Sequence, residues 1–108
     1  MITKRKFKEE VKSIVNQIVK EYHPEKVILF GSLLERNKMP KDIVLFIIKR
    51  NPPYLGVDRV RELDRLIKYK IATDFILYTP EEVRKREKLG DPFVKSILEK
   101  GDILYEKK

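Results

Sequence analysis

Phe7, Val11, Ile14, Val15, Ile18 and Tyr22 recur every three or four positions, with charged residues filling the gaps. That spacing lines them along one stripe of a helix and predicts an amphipathic helix over 4–22. His23-Pro24 ends it, because the residue before a proline is pushed out of the helical region. Val27-Ile28-Leu29-Phe30 is a short, wholly apolar run, the pattern of a strand covered on both faces. Gly31-Ser32 closes that strand and opens a short turn or helix through Arg36. Asp42 to Lys49, rich in Ile, Val and Phe, predicts a second strand, which Asn51-Pro52-Pro53 breaks. Val57, Val60, Leu63 and Ile67 give a further helical face ending near Lys70, and Thr73 to Tyr78 predicts the third strand.

The last third of the chain carries explicit start and stop signals. Thr79-Pro80-Glu81-Glu82 combines an N-cap threonine, a proline at the first helical position and a glutamate three residues after the cap, which makes a capping box. Asp91-Pro92 repeats the cap-plus-proline device, Gly101 stops the helix it starts, and Ile103-Leu104-Tyr105 reads as a terminal edge strand. Alternation of helices and strands predicts an α/β (α+β) class with helices packed on a sheet of about three or four strands, flanked by about four or five helices. With 108 residues and no repeat or internal linker, residues 1–108 read as one domain.

Composition narrows the setting. Apolar residues make up 42% and charged residues 39%, a globular balance and not a disordered one. No apolar run approaches the roughly 18 residues of a membrane span, and the basic N-terminus lacks a signal-peptide apolar core, so the reading is a cytoplasmic protein without membrane association. The absence of cysteine removes disulfides and thiolate metal sites. Three Asn, one Gln, and abundant Lys and Glu match proteins from hot environments. A net charge of +8 favours an acidic partner such as a nucleotide, nucleic acid or acidic protein. The lysines are spread along the chain instead of gathered in one block, which ranks nucleic acid below the nucleotide.

Candidate chemistry sits at the strand ends. Glycine after Phe30 lets a backbone approach a ligand closely, and a helix start behind it offers N–H groups to a phosphate. Asp42 opens the second strand, where an Asp-x-Asp pair would aim two carboxylates at one point and suit Mg²⁺-assisted phosphoryl transfer. The sequence reads Asp42-Ile43-Val44, so the second carboxylate is missing. Asp74 opens the third strand and must emerge at the sheet edge or find a partner. His23, the only histidine, reads as a turn residue. Tyr54 and Tyr69 read as partial core, and Arg84-Lys85-Arg86-Glu87-Lys88 as a solvated helix face.

Together these features resemble the minimal nucleotidyltransferase family, a branch of the DNA polymerase β-type nucleotidyltransferase superfamily. The resemblance runs through His23-Pro24-x-x-Val27-Ile28-Leu29-Phe30-Gly31-Ser32, Asp42-Ile43-Val44-Leu45, Asp74-Phe75-Ile76-Leu77-Tyr78-Thr79-Pro80-Glu81-Glu82 and the closing Gly101-x-x-Leu104-Tyr105-Glu106. It implies a mixed sheet, a Gly31-Ser32 turn holding the triphosphate of ATP or another NTP, and aspartates binding two Mg²⁺ ions for transfer of an NMP to a protein or RNA hydroxyl. Carried over by residue, Gly31 and Ser32 bind nucleotide, Asp42 is the first metal ligand, and Asp74 is the third and serves the incoming hydroxyl.

The departures point to impaired catalysis. Val44 replaces the ligand that bridges both metals, Leu33-Leu34-Glu35-Arg36 replaces the usual Arg-Ala-Arg-Gly, and Lys41 replaces a serine. Valine has no lone pair to give, and Mg²⁺ demands near-octahedral oxygen ligation. Two carboxylates about 4 Å apart repel by roughly 4 kcal/mol at an effective dielectric of 20, so losing one stabilises the metal-free fold. The Lys41 ammonium would partly neutralise Asp42, and Glu35 or Asp58 stand as alternative carboxylates. Three functional readings follow: a weak or inactive nucleotidyltransferase, an antitoxin-like partner of a HEPN-domain protein, and a basic nucleic-acid-binding module. An edge strand at 103–106 adds homodimer pairing to the expectations.

Overall fold

The computed structural model describes residues 4–30, 43–51 and 57–107 of the chain, with the side chains of residues 4, 57 and 58 left aside. In those residues the elements run α1 (Lys4–Tyr22), β1 (Lys26–Phe30), β2 (Ile43–Ile48), α2 (Val57–Leu66), β3 (Thr73–Tyr78), α3 (Pro80–Lys88), α4 (Pro92–Lys100) and β4 (Asp102–Glu106). The short turn or helix expected after Gly31 lies outside the described residues.

The four strands form one mixed sheet in the order β3-β2-β1-β4. β1 pairs antiparallel with both β2 and β4, and β2 pairs parallel with β3. The architecture is α+β. Among the described residues no helix is long and apolar enough to cross a membrane.

Strand alternation sorts the apolar residues into two cores. Val27, Leu29, Leu45, Ile47, Phe75 and Leu77 face α1 and α2, where they meet Phe7, Val11, Ile14, Ile18 and Leu63. Ile28, Phe46 and Ile48 face α3 and α4, where they meet Val83, Val94 and Ile97. The stripe read from the sequence of α1 is buried from Phe7 to Tyr22.

Two local departures have identifiable causes. The helical face expected to run near Lys70 stops at Leu66, because α1 side chains take over the backbone beyond it. The Lys68 N–H donates to Gln17 Oε1 at 2.8 Å, and the Lys68 carbonyl accepts from Gln17 Nε2 at 2.8 Å. The N–H groups of Lys70 and Ile71 donate to Glu10 Oε2. In β4, Leu104 has no register partner on β1, since Ile103 faces Ile28 and Tyr105 faces Val27. That bulge twists the edge strand locally.

The caps behave as their residue types dictate. Thr79 accepts from the Glu82 N–H and donates its own N–H to Glu82 Oε1, closing the capping box. Asp91 accepts from the N–H groups of Phe93 and Val94. Gly90 adopts φ +76° between α3 and α4, and the Asp91 N–H reaches back to the Arg86 carbonyl, a Schellman-type closure.

Glu82 also receives the Arg59 guanidinium from α2 at 2.7 Å, so one carboxylate ties the start of α3 to α2 across the end of β3. Partial burial raises its pKa, but the Thr79 N–H and the Arg59 charge outweigh that and leave it below 4.5. A depressed carboxylate pKa contributes stability above the unfolded value, and that contribution disappears as pH falls through the folded value. Urea denaturation of Glu82→Gln should therefore show a loss of stability near neutrality that shrinks below about pH 4.5. An equal loss at every pH would assign the effect to packing.

Gly101 is required by close approach and not by its φ of −70°. A Cβ there would run into Ile28 Cγ2 and the Ile97 carbonyl oxygen. Gly101→Ala should cost about 1–3 kcal/mol by displacing the α4–β4 turn from β1, measurable as a lowered thermal midpoint.

Candidate functional site

Phe30, Val44 and Asp74 form a row across three strands. Phe30 at the end of β1 lies opposite Val44 near the start of β2, and Val44 is in register with Asp74 near the start of β3. Neighbouring strands in register stand about 4.8 Å apart, and register partners point to the same face. Alternation puts Phe30 with Ile28, Val44 with Phe46 and Asp74 with Ile76, so the row belongs to the α3–α4 face. Val44 is half-buried and Asp74 exposed. The Phe93 ring meets Phe30 edge-on, with centroids 6.3 Å apart and planes at 83°. The row is thus apolar at its β1 end and ends in an open carboxylate on β3.

Of the residues assigned from the sequence, Asp74 is the one whose position is described. Gly31, Ser32 and Asp42 lie outside the described residues, as do Glu35, Lys41 and Tyr54; Asp58 belongs to α2, but its side chain is not described. In the sequence Gly31 follows Phe30 directly. Asp42 stands two residues before Val44.

The donor set can be tested against Mg²⁺ on the described residues alone. The row offers one carboxylate, from Asp74, beside a hydrocarbon at Val44. That does not make a Mg²⁺ site, which draws on several oxygen ligands in octahedral array. Among the described residues no group of three or more His, Asp or Glu could hold a metal ion. Asp74 can accept hydrogen bonds or a proton from a ligand hydroxyl; Val44 can only exclude water beside it.

The remaining residues singled out in the sequence have structural employment. His23 is exposed with φ +52°, the turn geometry that breaks α1 before Pro24. The Tyr69 hydroxyl donates to Asp64, and its ring packs edge-on against Phe75 at 6.0 Å, so it is partial core. Residues 84–88 are exposed on α3; within that run Arg86 reaches Asp91 at 3.2 Å and covers the Tyr78 ring.

Two features escaped sequence reading. Arg59 is 8% exposed although it sits in a strongly charged helix. Leu63, four positions on and therefore on the same side of the helix, was the available signal. The Tyr22 hydroxyl is buried without a hydrogen-bond partner among the described residues, and burial raises its pKa.

No family model, characterised protein or solved structure matches this chain. The resemblance to a family therefore rests on the motif residues of the sequence.

The register predicts the consequence of placing a carboxylate at position 44. Val44→Asp would place a second charge in line with Asp74 and remove a half-buried side chain. In metal-free buffer it should lower stability by about 1–3 kcal/mol, with both lost burial and repulsion contributing. Adding Asp74→Asn to that variant should recover the repulsive part, which a double-mutant cycle in urea would isolate.

Proposed function

We propose that this chain is a nucleotidyltransferase-family domain with an impaired metal site, built to pass an NMP (AMP from ATP) to a protein or RNA hydroxyl. The observation that carries the reading is the row Phe30–Val44–Asp74. Its first member leads into Gly31-Ser32, its second follows Asp42 by two positions, and its third is itself an aspartate. In this reading Gly31-Ser32 receives the nucleotide phosphates, Asp42 and Asp74 supply the remaining metal ligation, and Asp74 serves the acceptor hydroxyl. Val44 withholds the bridging ligand and leaves Mg²⁺ weakly held. A cytoplasmic location belongs to the same reading.

A second reading makes the domain a non-catalytic, antitoxin-like partner of a HEPN-domain protein. Leu89 and Phe93, 76% and 43% exposed at the turn between α3 and α4, support it as apolar anchors beside the same face. A nucleic-acid-binding module remains the third reading, resting on net charge alone.

Thermal unfolding with and without MgATP separates these readings. A ligand at 100 times its dissociation constant stabilises the folded state by roughly 2.7 kcal/mol, a readily measured rise in midpoint. The natural chain should show little Mg²⁺-dependent shift, and Val44→Asp should gain one. Tight MgATP binding by the natural chain, unchanged in Val44→Asp, would show that the metal site is not the one described.

A further inference from the structure

We infer that the chain carries a second, separate binding site, for a phosphate or phosphate monoester, at the carboxyl ends of β2 and β3. β2 and β3 run parallel, so their carboxyl ends lie side by side. Here the two ends are tied together by the Lys49 N–H donating to the Tyr78 carbonyl at 3.0 Å. A cavity of about 470 Å³ opens beside them, lined by Arg50, Asn51, Arg59, Thr79, Glu81 and Arg84. That volume falls within the roughly 300–1,000 Å³ of small-molecule sites and exceeds what inorganic phosphate alone fills.

The charges around the cavity are organised. Arg59, in the first turn of α2, is buried and fixed by Glu82 at 2.7 Å, so that pair is internally neutral and forms a rigid wall. Arg50 and Arg84 are exposed, and no hydrogen bond or ion pair among the described residues engages either guanidinium. They face one carboxylate across the cavity, Glu81. Guanidinium forks match phosphate oxygens in pairs, which a lone ammonium does not. Both α2 and α3 begin here and turn their positive dipole ends to the same region. Asn51, at φ +50°, turns the chain out of β2 at the cavity rim.

The site is independent of the row containing Asp74. About 13 Å of strand separates Asp74 from Tyr78 at roughly 3.3 Å per residue, and the two lie at opposite ends of β3. It requires neither Mg²⁺ nor the family reading.

Isothermal titration of the full chain with inorganic phosphate and, separately, with AMP, both without Mg²⁺, tests the proposal. Saturable one-site binding is expected. Arg50→Gln and Arg84→Gln should each weaken it on the order of tenfold with unchanged thermal midpoints, since each removes a charge-assisted contact from an exposed position. Glu81→Gln should tighten it. Lys95→Gln should leave it unaltered. Equal affinities assign recognition to the phosphate group, and tighter AMP binding that Arg50→Gln and Arg84→Gln still weaken assigns it to the ester; AMP and phosphate binding indifferent to both arginine variants would overturn the site. Absence of saturable binding for either anion would overturn the proposal. So would a loss in Lys95→Gln as large as that in Arg84→Gln, because attraction would then follow net charge alone.

Discussion

The burial of β1 and β2 on both faces is the constraint to which the other elements answer. Val27, Ile28 and Leu29 are at most 1% exposed, and so are Ile43, Leu45, Phe46 and Ile47. A central strand pair this apolar leaves backbone and side chains no aqueous surface to use, so two helical layers are needed. α1 and α2 close one face, and α3 and α4 close the other. The edge strands β3 and β4 are less buried, and it is on them that polar residues such as Asp74 and Asp102 appear. Hydrophobic transfer supplies the driving force, at about 1.5–3 kcal/mol for each fully buried aliphatic side chain. The caps and ion pairs decide where each helix starts and stops.

Making β2 and β3 parallel has a chemical consequence. A parallel pair has one end where both strands begin and one where both finish, and the two ends differ in character. At the beginning, the register sets Val44 beside Asp74 next to the end of β1. At the finish, the chain turns outward through Arg50 and Asn51 and into α3 through Thr79, with Arg59 arriving from α2. The Asp74 carboxylate and the arginines of the cavity are thereby held apart by the length of the strands. A protein with net charge +8 thus keeps an exposed carboxylate at one end and a cluster of arginines at the other.

In the proposed reading, a valine at position 44 shifts the balance from metal binding towards stability. An array of carboxylates converging on an empty metal site is repulsive, and a single hydrocarbon in it relieves that repulsion while deleting a ligand. Val44 is half-buried on the α3–α4 face of the sheet, two positions before Phe46. The same residue is both the fold's gain and the proposed chemistry's loss.

Local signals in the sequence determined the elements. The 3.6-residue stripe of α1, the apolar runs of β1 to β3, the Thr79–Glu82 capping box, the Asp91-Pro92 start and the Gly101 stop are short-range patterns whose physics acts within a few residues. Asp74 as a strand-opening acid was legible for the same reason. Long-range contacts decided the rest. Gln17 and Glu10 reach across about fifty to sixty positions to end α2 at Leu66, separations of 51 and 60 residues that no local window contains. Strand order and register set Val44 against Asp74 and drew Arg59 out of solvent onto Glu82. Propensity and periodicity are properties of neighbours along the chain, whereas pairing and convergence depend on which buried faces find each other in space.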